Sequence, residues 1–341
     1  MNSEKVLKVG IIGVGIHGQG HVRCFQSLHN AEVVALTDIN NDRVKDVANR
    51  YGVTQAYTDY KEMLDKVELD AVAVVLPDHL HLDASLAVIE SGRNLLVEKP
   101  LAIRVEDAEA IVKAARDKGV RMMVNFSNRF QVPIQQAREA FVSGELGDPL
   151  YAYLRLNNTI YVPTKMLAWS SRTKTPFWLM SHLIDRIRWI WGSDPRRAYG
   201  VQRSVVLKGM GVDTPDFYHG TVEFDNGAVA AFESCWILPD TSPMSVDSKM
   251  EMIFTKAAMT IDAMQTMVQK ATSESFTYPA TLTGTVNGHP VGFLLESIRH
   301  FVDSILAGRD PEPSGEDGLV VLKTAAAIVE SADKGVPVEI K

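Results

Sequence analysis

The sequence of 341 residues predicts an α/β fold, with an N-terminal doubly wound parallel sheet and a C-terminal α+β domain built on a mostly antiparallel open sheet. In the first third, apolar runs alternate with stretches of helical length, a rhythm typical of parallel strands joined by right-handed crossovers. From about residue 198 to 264 strand patterns dominate, and Asn226-Gly227 between two of them is a strong hairpin signal. We therefore expect two domains, residues 1–126 and residues 127–341.

The elements of the first domain follow from apolar runs and from glycines that end helices. Strands are predicted at residues 9–12, 32–37, 55–57, 71–76, 95–97 and 122–126. The run 71–76 is almost wholly apolar, as expected for a strand that is buried on both faces. Helices are predicted at residues 41–51, 81–91 and 105–118, and a glycine follows each of them, as at many helix ends.

The second domain combines helical and strand patterns. Helices are predicted at residues 133–143, 176–191, 294–307 and 317–331, and strands at 217–224 and 228–236. In the helix from residue 294 the apolar side chains recur at helical spacing, which indicates a face turned toward a core.

Composition and charge restrict the class of protein. Hydrophobic residues make up 46% of the chain, charged residues 23%, and the formal net charge is −7. This balance is typical of a globular protein and argues against nucleic acid or an anionic membrane as partner. No apolar stretch approaches the ~20 residues of a membrane span. The two cysteines, Cys24 and Cys235, form no CxxC pair, so we expect a reducing cytoplasm and neither a disulfide framework nor a thiolate zinc site.

A glycine motif links the first strand to the next helix. Gly13, Gly15 and Gly18 match GxGxxG, in which the first glycine makes a tight turn, the second admits a diphosphate and the third allows close packing. Amides at the helix N-terminus would hold the phosphates, with contacts from Ile16 and from the backbone of His17. The alternative is a glycine-rich turn without a ligand. We favour a Rossmann domain that binds a dinucleotide.

Asp38 at the end of the second strand indicates which dinucleotide is bound. A carboxylate there accepts hydrogen bonds from the adenosine ribose and repels a 2′-phosphate, so NAD is expected and NADP is less favoured. Arg43, five residues later, weakens this preference.

Residues after two other strands extend the expected cofactor site, because ligands bind at the carboxyl ends of parallel strands. Leu76 ends one strand and His81 comes shortly after it, and Glu98 and Lys99 follow the next strand. Lys99 could exchange a proton with an alcohol or carbonyl if its pKa fell from ~10.4 to roughly 7–8, a change of about 4 kcal/mol. The alternative is a surface lysine in a polar turn. His79 and His81 form an HxH pair, but no third metal ligand is evident, so no metal is expected.

The helix predicted at 176–191 carries a second group of polar and aromatic side chains. Trp178, His182, Asp185 and Trp189 are spaced four, three and four residues apart, beside a stripe of apolar residues. A carboxylate can accept sugar hydroxyls while an indole covers C–H surface, which suits a sugar or polyol. The alternative is a helix in which Asp185 pairs with Arg186 or Arg188. Of the other candidates, His21 is interpreted as helix surface, and Asn125 and Arg129 as contacts to ligand or between domains.

Together these residues resemble the glucose–fructose oxidoreductase, inositol dehydrogenase and rhizopine-catabolism (Gfo/Idh/MocA) family. The matching positions are the glycine loop with His21, His79-x-His81, Glu98-Lys99-Pro100, Asn128-Arg129-Phe130, and His182 with Asp185. The resemblance implies NAD(P)-dependent oxidation or reduction of CH–OH groups in sugars, inositols or polyols. It implies Lys99 as the proton-transfer residue, His182 as its partner, and a homodimer or homotetramer formed through the C-terminal sheet.

One departure from the family pattern concerns the substrate site. Many members carry an aspartate four residues before the active-site histidine and a glycine two before it, where this chain has Trp178 and Met180. Asp185 could take part of the missing role, or the substrate could differ from a simple inositol. Two other functions stay open: a glycoside-cleaving enzyme that oxidises its substrate transiently with NAD, and a non-catalytic protein that responds to NAD.

Overall fold

The computed structural model describes residues 5–263, 270–272, 274, 276–277 and 282–341. The chain forms two compact units, each of which combines segments that are distant in sequence. The first contains Met1–Phe130 and Thr283–Leu319, and the second contains Gln131–Leu282 and Val320–Lys341. The first break lies four residues after the predicted boundary at 126, and the segment that returns to the first unit was not expected from the sequence.

Strands and helices alternate in the first unit. In chain order they are β1 (Leu7–Ile12), α1 (Ile16–Gln26), β2 (Ala31–Thr37), α2 (Asn41–Tyr51), β3 (Gln55–Tyr57), α3 (Tyr60–Lys66), β4 (Ala71–Val74), α4 (His81–Glu90), β5 (Asn94–Glu98), α5 (Val105–Lys118) and β6 (Met122–Asn125). The predicted helices 41–51 and 105–118 are confirmed, and both end at a glycine in the left-handed region. Helix α3, capped by Asp59, was not predicted because it has only seven residues.

The sheet of the first unit has six parallel strands in the order β3-β2-β1-β4-β5-β6. This confirms the doubly wound parallel sheet. Strands β1 to β3 are added toward one edge of the sheet and β4 to β6 toward the other, so the strand order reverses between β1 and β4. In such sheets the crevice at this switch point is the ligand site. All four residues of β4 are buried, as predicted for a strand covered on both faces.

The second unit is built on a seven-stranded mixed sheet. Its elements are α6 (Val132–Val142), β7 (Pro149–Thr159), α7 (Ser181–Trp191), β8 (Pro195–Arg203), α8 (Val206–Gly209), β9 (Phe217–Phe224), β10 (Val229–Leu238), β11 (Val246–Phe254), β12 (Ala258–Asp262), β13 (Lys270–Ala271) and β14 (Phe276–Thr277). The strand order is β12-β11-β7-β10-β9-β8, with the last strand of the chain, β17 (Val338–Glu339), beside β8. Only β7 and β10 pair in parallel among these strands. The predicted hairpin at Asn226-Gly227 is confirmed, and Gly227 has a φ of +83°.

The remaining elements return the chain to the first unit and then complete the second. They are β15 (Thr283–Val286), β16 (His289–Gly292), α9 (Phe293–Leu306), α10 (Gly315–Lys334) and β17 (Val338–Glu339). Helix α9 places Leu295, Ile298, Phe301 and Val302 in the same apolar cluster as β1, α1 and β2. The sequence identified this apolar face correctly but assigned it to the second domain. Among the described residues, no helix is both long and apolar enough to cross a membrane.

The predicted α-helix at 176–191 is wrong in its first turn. Residues Pro176–Met180 form a π-helical turn, and α7 begins at Ser181. The Ser181 amide donates to the carbonyl of Pro176, five residues earlier, while the Ser181 hydroxyl donates to the carbonyl of Phe177 at 2.7 Å. A hydroxyl that takes the carbonyl four residues back displaces the ordinary helical bond and widens the turn. Trp178 therefore does not lie one α-helical turn before His182.

Candidate active site

The glycine loop has the geometry of a diphosphate site. Gly13 has a φ of +93°, and a side chain there would collide with the backbone of Val75. A side chain at Gly18 would collide with the carbonyl of Gly13, whereas a Cβ at Gly15 would meet no atom within 4 Å. Open space above Gly15, at the N-terminus of α1, is what a diphosphate requires. The geometry of the loop therefore fits a dinucleotide, and the binding roles of the three glycines stay predictions.

Asp38 braces this loop at the end of β2. Its side chain is buried and accepts hydrogen bonds from the Val14 amide at 3.1 Å and the Asn40 amide at 2.9 Å. A guanidinium nitrogen of Arg43 lies 3.3 Å from both carboxylate oxygens. Arg43, which weakened the expected preference for NAD, is thus paired with Asp38, the residue on which that expectation rests.

Glu98 is the centre of a hydrogen-bonded cluster beside the loop. Its Oε1 accepts from His17 Nε2 at 2.9 Å, from His21 Nε2 at 2.8 Å and from Asn125 Nδ2 at 2.6 Å. The amide oxygen of Asn125 in turn accepts from the Ser297 hydroxyl of α9 at 2.6 Å, which fixes the orientation of the amide. The interpretation of His21 as helix surface is wrong, because its side chain is 0% exposed and directed at Glu98.

Charges within the cluster are unevenly distributed. Burial by itself would raise the pKa of Glu98, but His17 and His21 hold it well below its usual range, so the carboxylate is ionised. Burial lowers the pKa of His21, despite Glu98, and favours the neutral imidazole. The carboxylate raises the pKa of the more exposed His17 by more than burial lowers it. Of the two histidines, His17 is therefore the one whose charged form these contacts favour.

The same three side chains offer ligand atoms that all lie within 4.8 Å of one another, which is close enough to hold a metal ion. However, Oε1 of Glu98 already accepts from the Asn125 amide, and the two imidazoles occupy its remaining directions. These contacts favour a proton-linked cluster over metal coordination. The expectation that the protein uses no metal stays a prediction.

Lys99 follows Glu98 at the carboxyl end of β5. Burial lowers the pKa of its amine to about 8, although the negative charges of Glu98 and Asp78 oppose this shift. The backbone amide of Lys99 donates to Glu98 Oε2 at 3.2 Å. An amine with this pKa can accept or donate a proton near neutral pH, as proton transfer to an alcohol or carbonyl requires.

Leu76 and His81 adjoin the loop from the β4 side. The Leu76 side chain lies next to Gly13, at 3.0 Å from the position of a Cβ there. His81 is buried, and its two ring nitrogens lie 2.8 Å from the Pro100 carbonyl oxygen and 3.0 Å from the Leu76 carbonyl oxygen. His81 thereby ties the ends of β4 and β5 together next to Lys99. His79 lies 3.7 Å from the carboxylate of Asp78.

The predicted substrate residues lie in the second unit. The apolar stripe predicted for this segment is confirmed, since Met180 in the π-helical turn and five side chains of α7 are all buried, namely Leu183, Ile184, Ile187, Ile190 and Trp191. Trp178 packs edge-on against Trp169, with ring centroids 6.2 Å apart, and Trp189 lies under the guanidinium of Arg138. Asp185 is buried, and so is the neighbouring Arg186, where burial lowers the guanidinium pKa to about 10 despite Asp185.

Of the residues whose role was left open, Asn125 belongs to the Glu98 cluster. Arg129 is buried, and its guanidinium lies 3.8 Å from the carboxylate of Asp317. The sequence missed the link from Ser297 through Asn125 to Glu98, because no motif joins Ser297 and Asn125, which are 172 residues apart. The family resemblance did include His21 and Glu98, and it was the signal that could have paired them.

Comparison with known proteins identifies the family. The profile described as "Oxidoreductase family, NAD-binding Rossmann fold" (GFO_IDH_MocA) matches residues 7–126, and "Oxidoreductase family, C-terminal alpha/beta domain" matches residues 138–340. The chain belongs to the Gfo/Idh/MocA oxidoreductase family. This confirms the expected family, the NAD-binding Rossmann domain and the class of enzyme, a dehydrogenase or reductase.

Individual Gfo/Idh/MocA relatives resemble the chain over nearly its whole length. It is 27% identical to a 1,5-anhydro-D-fructose reductase of Ensifer adhaerens, over 91% of each chain. It is also 27% identical to inositol 2-dehydrogenase 3 of Saccharopolyspora erythraea, covering 98% of this chain and 96% of that protein. A crystal structure of scyllo-inositol dehydrogenase from Lactobacillus casei with bound NAD(H) and scyllo-inositol has the same fold, with a TM-score of 0.84, 20% identity and coverage of 98% and 99%.

Proposed function

We propose that the protein transfers hydride between C4 of nicotinamide and a carbinol or carbonyl carbon of a sugar, inositol or related polyol. The observation that carries this proposal is the amine of Lys99, whose pKa is lowered to about 8 at the end of β5, beside the dinucleotide loop. The names of the relatives, which include an anhydrofructose reductase and inositol dehydrogenases, support a polyhydroxylated substrate.

Lys99 acts as the proton-transfer residue in this proposal. In oxidation its neutral amine takes the hydroxyl proton while the carbinol carbon gives up hydride, and a carbonyl and an ammonium group result. In reduction the ammonium returns the proton to the new alkoxide. Bound NAD supplies the hydride acceptor or donor. Glu98 is held by hydrogen bonds from His17, His21 and Asn125 and keeps a fixed negative charge beside the Lys99 amine. On the other side of Lys99 in the chain, a ring nitrogen of His81 contacts the carbonyl oxygen of Pro100.

The proposed substrate groups belong to α7 and the turn before it. His182 assists proton transfer, Asp185 accepts substrate hydroxyls and Trp178 covers C–H surface. Trp178 stands four residues before His182, where the family pattern has an aspartate, so an indole and not a carboxylate would meet the substrate there.

The decisive experiment is a substrate panel. Sugars, inositols and sugar acids are incubated with NAD or NADP while the absorbance of the reduced cofactor is followed. Net NADH formation supports the proposal, whereas glycoside cleavage without net NADH supports the transient-oxidation alternative.

The Lys99→Ala variant then tests the assignment of the proton-transfer residue. We expect turnover to fall by about 10²–10⁴-fold, while NADH binding measured by fluorescence persists. Unchanged turnover would eliminate the role of Lys99, and the same loss in both cofactor binding and turnover would indicate a binding role instead.

We also propose a homodimer or homotetramer through the open face of the seven-stranded sheet. On β7 this face carries Tyr153 and Arg155, which are partly exposed, and Asn157, which is buried. These side chains pair with Glu233 and Asp247 on the neighbouring strands. Light scattering after size-exclusion chromatography distinguishes this assembly from a monomer.

A further inference from the structure

His17 occupies an unusual position for a titratable side chain. It is the second residue of α1 and lies inside the glycine loop, where the diphosphate of a dinucleotide is held. Its side chain is 56% exposed, yet its Nε2 is anchored 2.9 Å from the buried carboxylate of Glu98. Among the described residues, none forms a hydrogen bond with the other ring nitrogen, Nδ1.

The groups around His17 favour its charged form. They are His21 on α1, Glu98 and Lys99 at the end of β5, and Asn125 on β6. Glu98 attracts a proton to His17 and Lys99 opposes it, with the net effect of raising the His17 pKa. An imidazolium donates from both nitrogens, so one N–H is fixed on Glu98 while the second is left for an anion.

We propose that His17 is a side-chain ligand of the cofactor diphosphate, with Nε2–H anchored on Glu98 and Nδ1–H donated to a phosphate oxygen. The proposal rests on NAD binding by this loop and adds a charge to the amides that the motif supplies. A charge-assisted hydrogen bond from a side chain that is already held in place strengthens binding, because no flexible side chain has to be ordered when the ligand binds.

The consequence is cofactor affinity that depends on pH. Below the raised pKa of His17 the imidazolium is present and NADH binds tightly. As pH rises through that pKa the charge is lost and the dissociation constant increases toward a weaker plateau. We expect the two plateaus to differ by about tenfold, which corresponds to about 1.4 kcal/mol.

The test measures dissociation constants by NADH fluorescence from about pH 5.5 to about pH 9. His17→Gln keeps a neutral donor that does not titrate, so its binding at low pH should be about tenfold weaker than that of the wild type, and its pH dependence should be reduced. His29→Gln, which changes an exposed histidine of the same unit, is the matched control and should behave as the wild type does. Any contribution from titration of Lys99 remains in all three proteins and cancels in the comparison.

ADP-ribose distinguishes the diphosphate from the nicotinamide as the partner of His17. It retains the diphosphate and lacks nicotinamide, so its affinity should show the same dependence on pH and on His17. Equal slopes for wild type and His17→Gln, or a His17 effect confined to NADH, would overturn the proposal. Failure of the wild type to bind NADH at any pH would contradict the proposed function itself, which makes the two failures distinguishable.

Discussion

The pKa of Lys99 sets the expected pH dependence of turnover. Because burial lowers this pKa to about 8, the amine is half protonated near that pH. Oxidation needs the neutral amine, so kcat/KM for oxidation should rise with pH and level off above about pH 8. Reduction needs the ammonium form and should decline over the same range. Initial rates in both directions check this, and a Lys99→Ala enzyme that keeps both limbs would show that another group titrates.

Asp38 and Arg43 together predict how cofactor choice can be changed. In Asp38→Ser the 2′-phosphate is no longer repelled, and the Arg43 guanidinium, now 3.3 Å from both carboxylate oxygens, loses its partner. The ratio of kcat/KM for NADP to that for NAD should increase at least about tenfold, since a hydrogen bond to a charged group contributes about 1.5–3 kcal/mol and about 1.4 kcal/mol corresponds to tenfold. Adding Arg43→Ala should cancel most of the gain. If the double variant kept the full gain, the guanidinium would not be the group that binds the phosphate.

Residues near the chain's motifs were predicted from the sequence better than residues that meet only after folding. Gly13, Asp38 and Lys99 each directly follow a strand, and the ends of strands can be predicted from apolar runs. The burial of His21 was missed, because a histidine three residues after Gly18 has the same spacing whether it faces solvent or Glu98. The position of β5 beside the loop decides between exposure and burial, because it places Glu98 against His21.

At the level of elements, α1 contains two glycines, Gly18 and Gly20, at which substitution by alanine should have opposite effects on stability. A Cβ at Gly18 collides with the Gly13 carbonyl, whereas a Cβ at Gly20 meets only the tip of Leu294 at 3.4 Å. Gly18→Ala should therefore destabilise the protein and weaken NADH binding. Gly20→Ala should stabilise it by about 0.5–1 kcal/mol, because alanine favours the helix. Thermal unfolding measures both effects, and a similar loss in both variants would contradict this packing.

Helix ends followed by glycine were predicted closely, because the left-handed conformation at a helix end is a local requirement. The π-helical turn at Pro176–Met180 was not predicted. It is flanked by Thr175 and by Ser181, whose hydroxyl donates to the carbonyl of Phe177. The Thr175 hydroxyl bonds to Ser234 on β10, a residue 59 positions away. Apolar spacing alone indicated an unbroken helix there.

For the whole molecule, the segment that returns to the first unit predicts a long-range stability effect. Phe301 on α9 is 0% exposed within the cluster formed with β1, α1 and β2. Phe301→Ala should cost about 3–5 kcal/mol of unfolding free energy, as for other buried phenylalanines. Phe276→Ala, at a position 49% exposed, is the control and should cost little. Chemical denaturation measures both, and equal effects would show that α9 adds little to this core.

The order of the chain has a consequence for its synthesis. The apolar surface that α9 covers emerges from the ribosome with residues before 131, but α9 itself begins at Phe293, roughly 160 residues later. At about 5–20 residues per second, translation leaves that surface without its cover for on the order of ten seconds. The nascent chain therefore passes through a stage that offers a binding surface for chaperones, and codons that slow translation between the two segments would lengthen it.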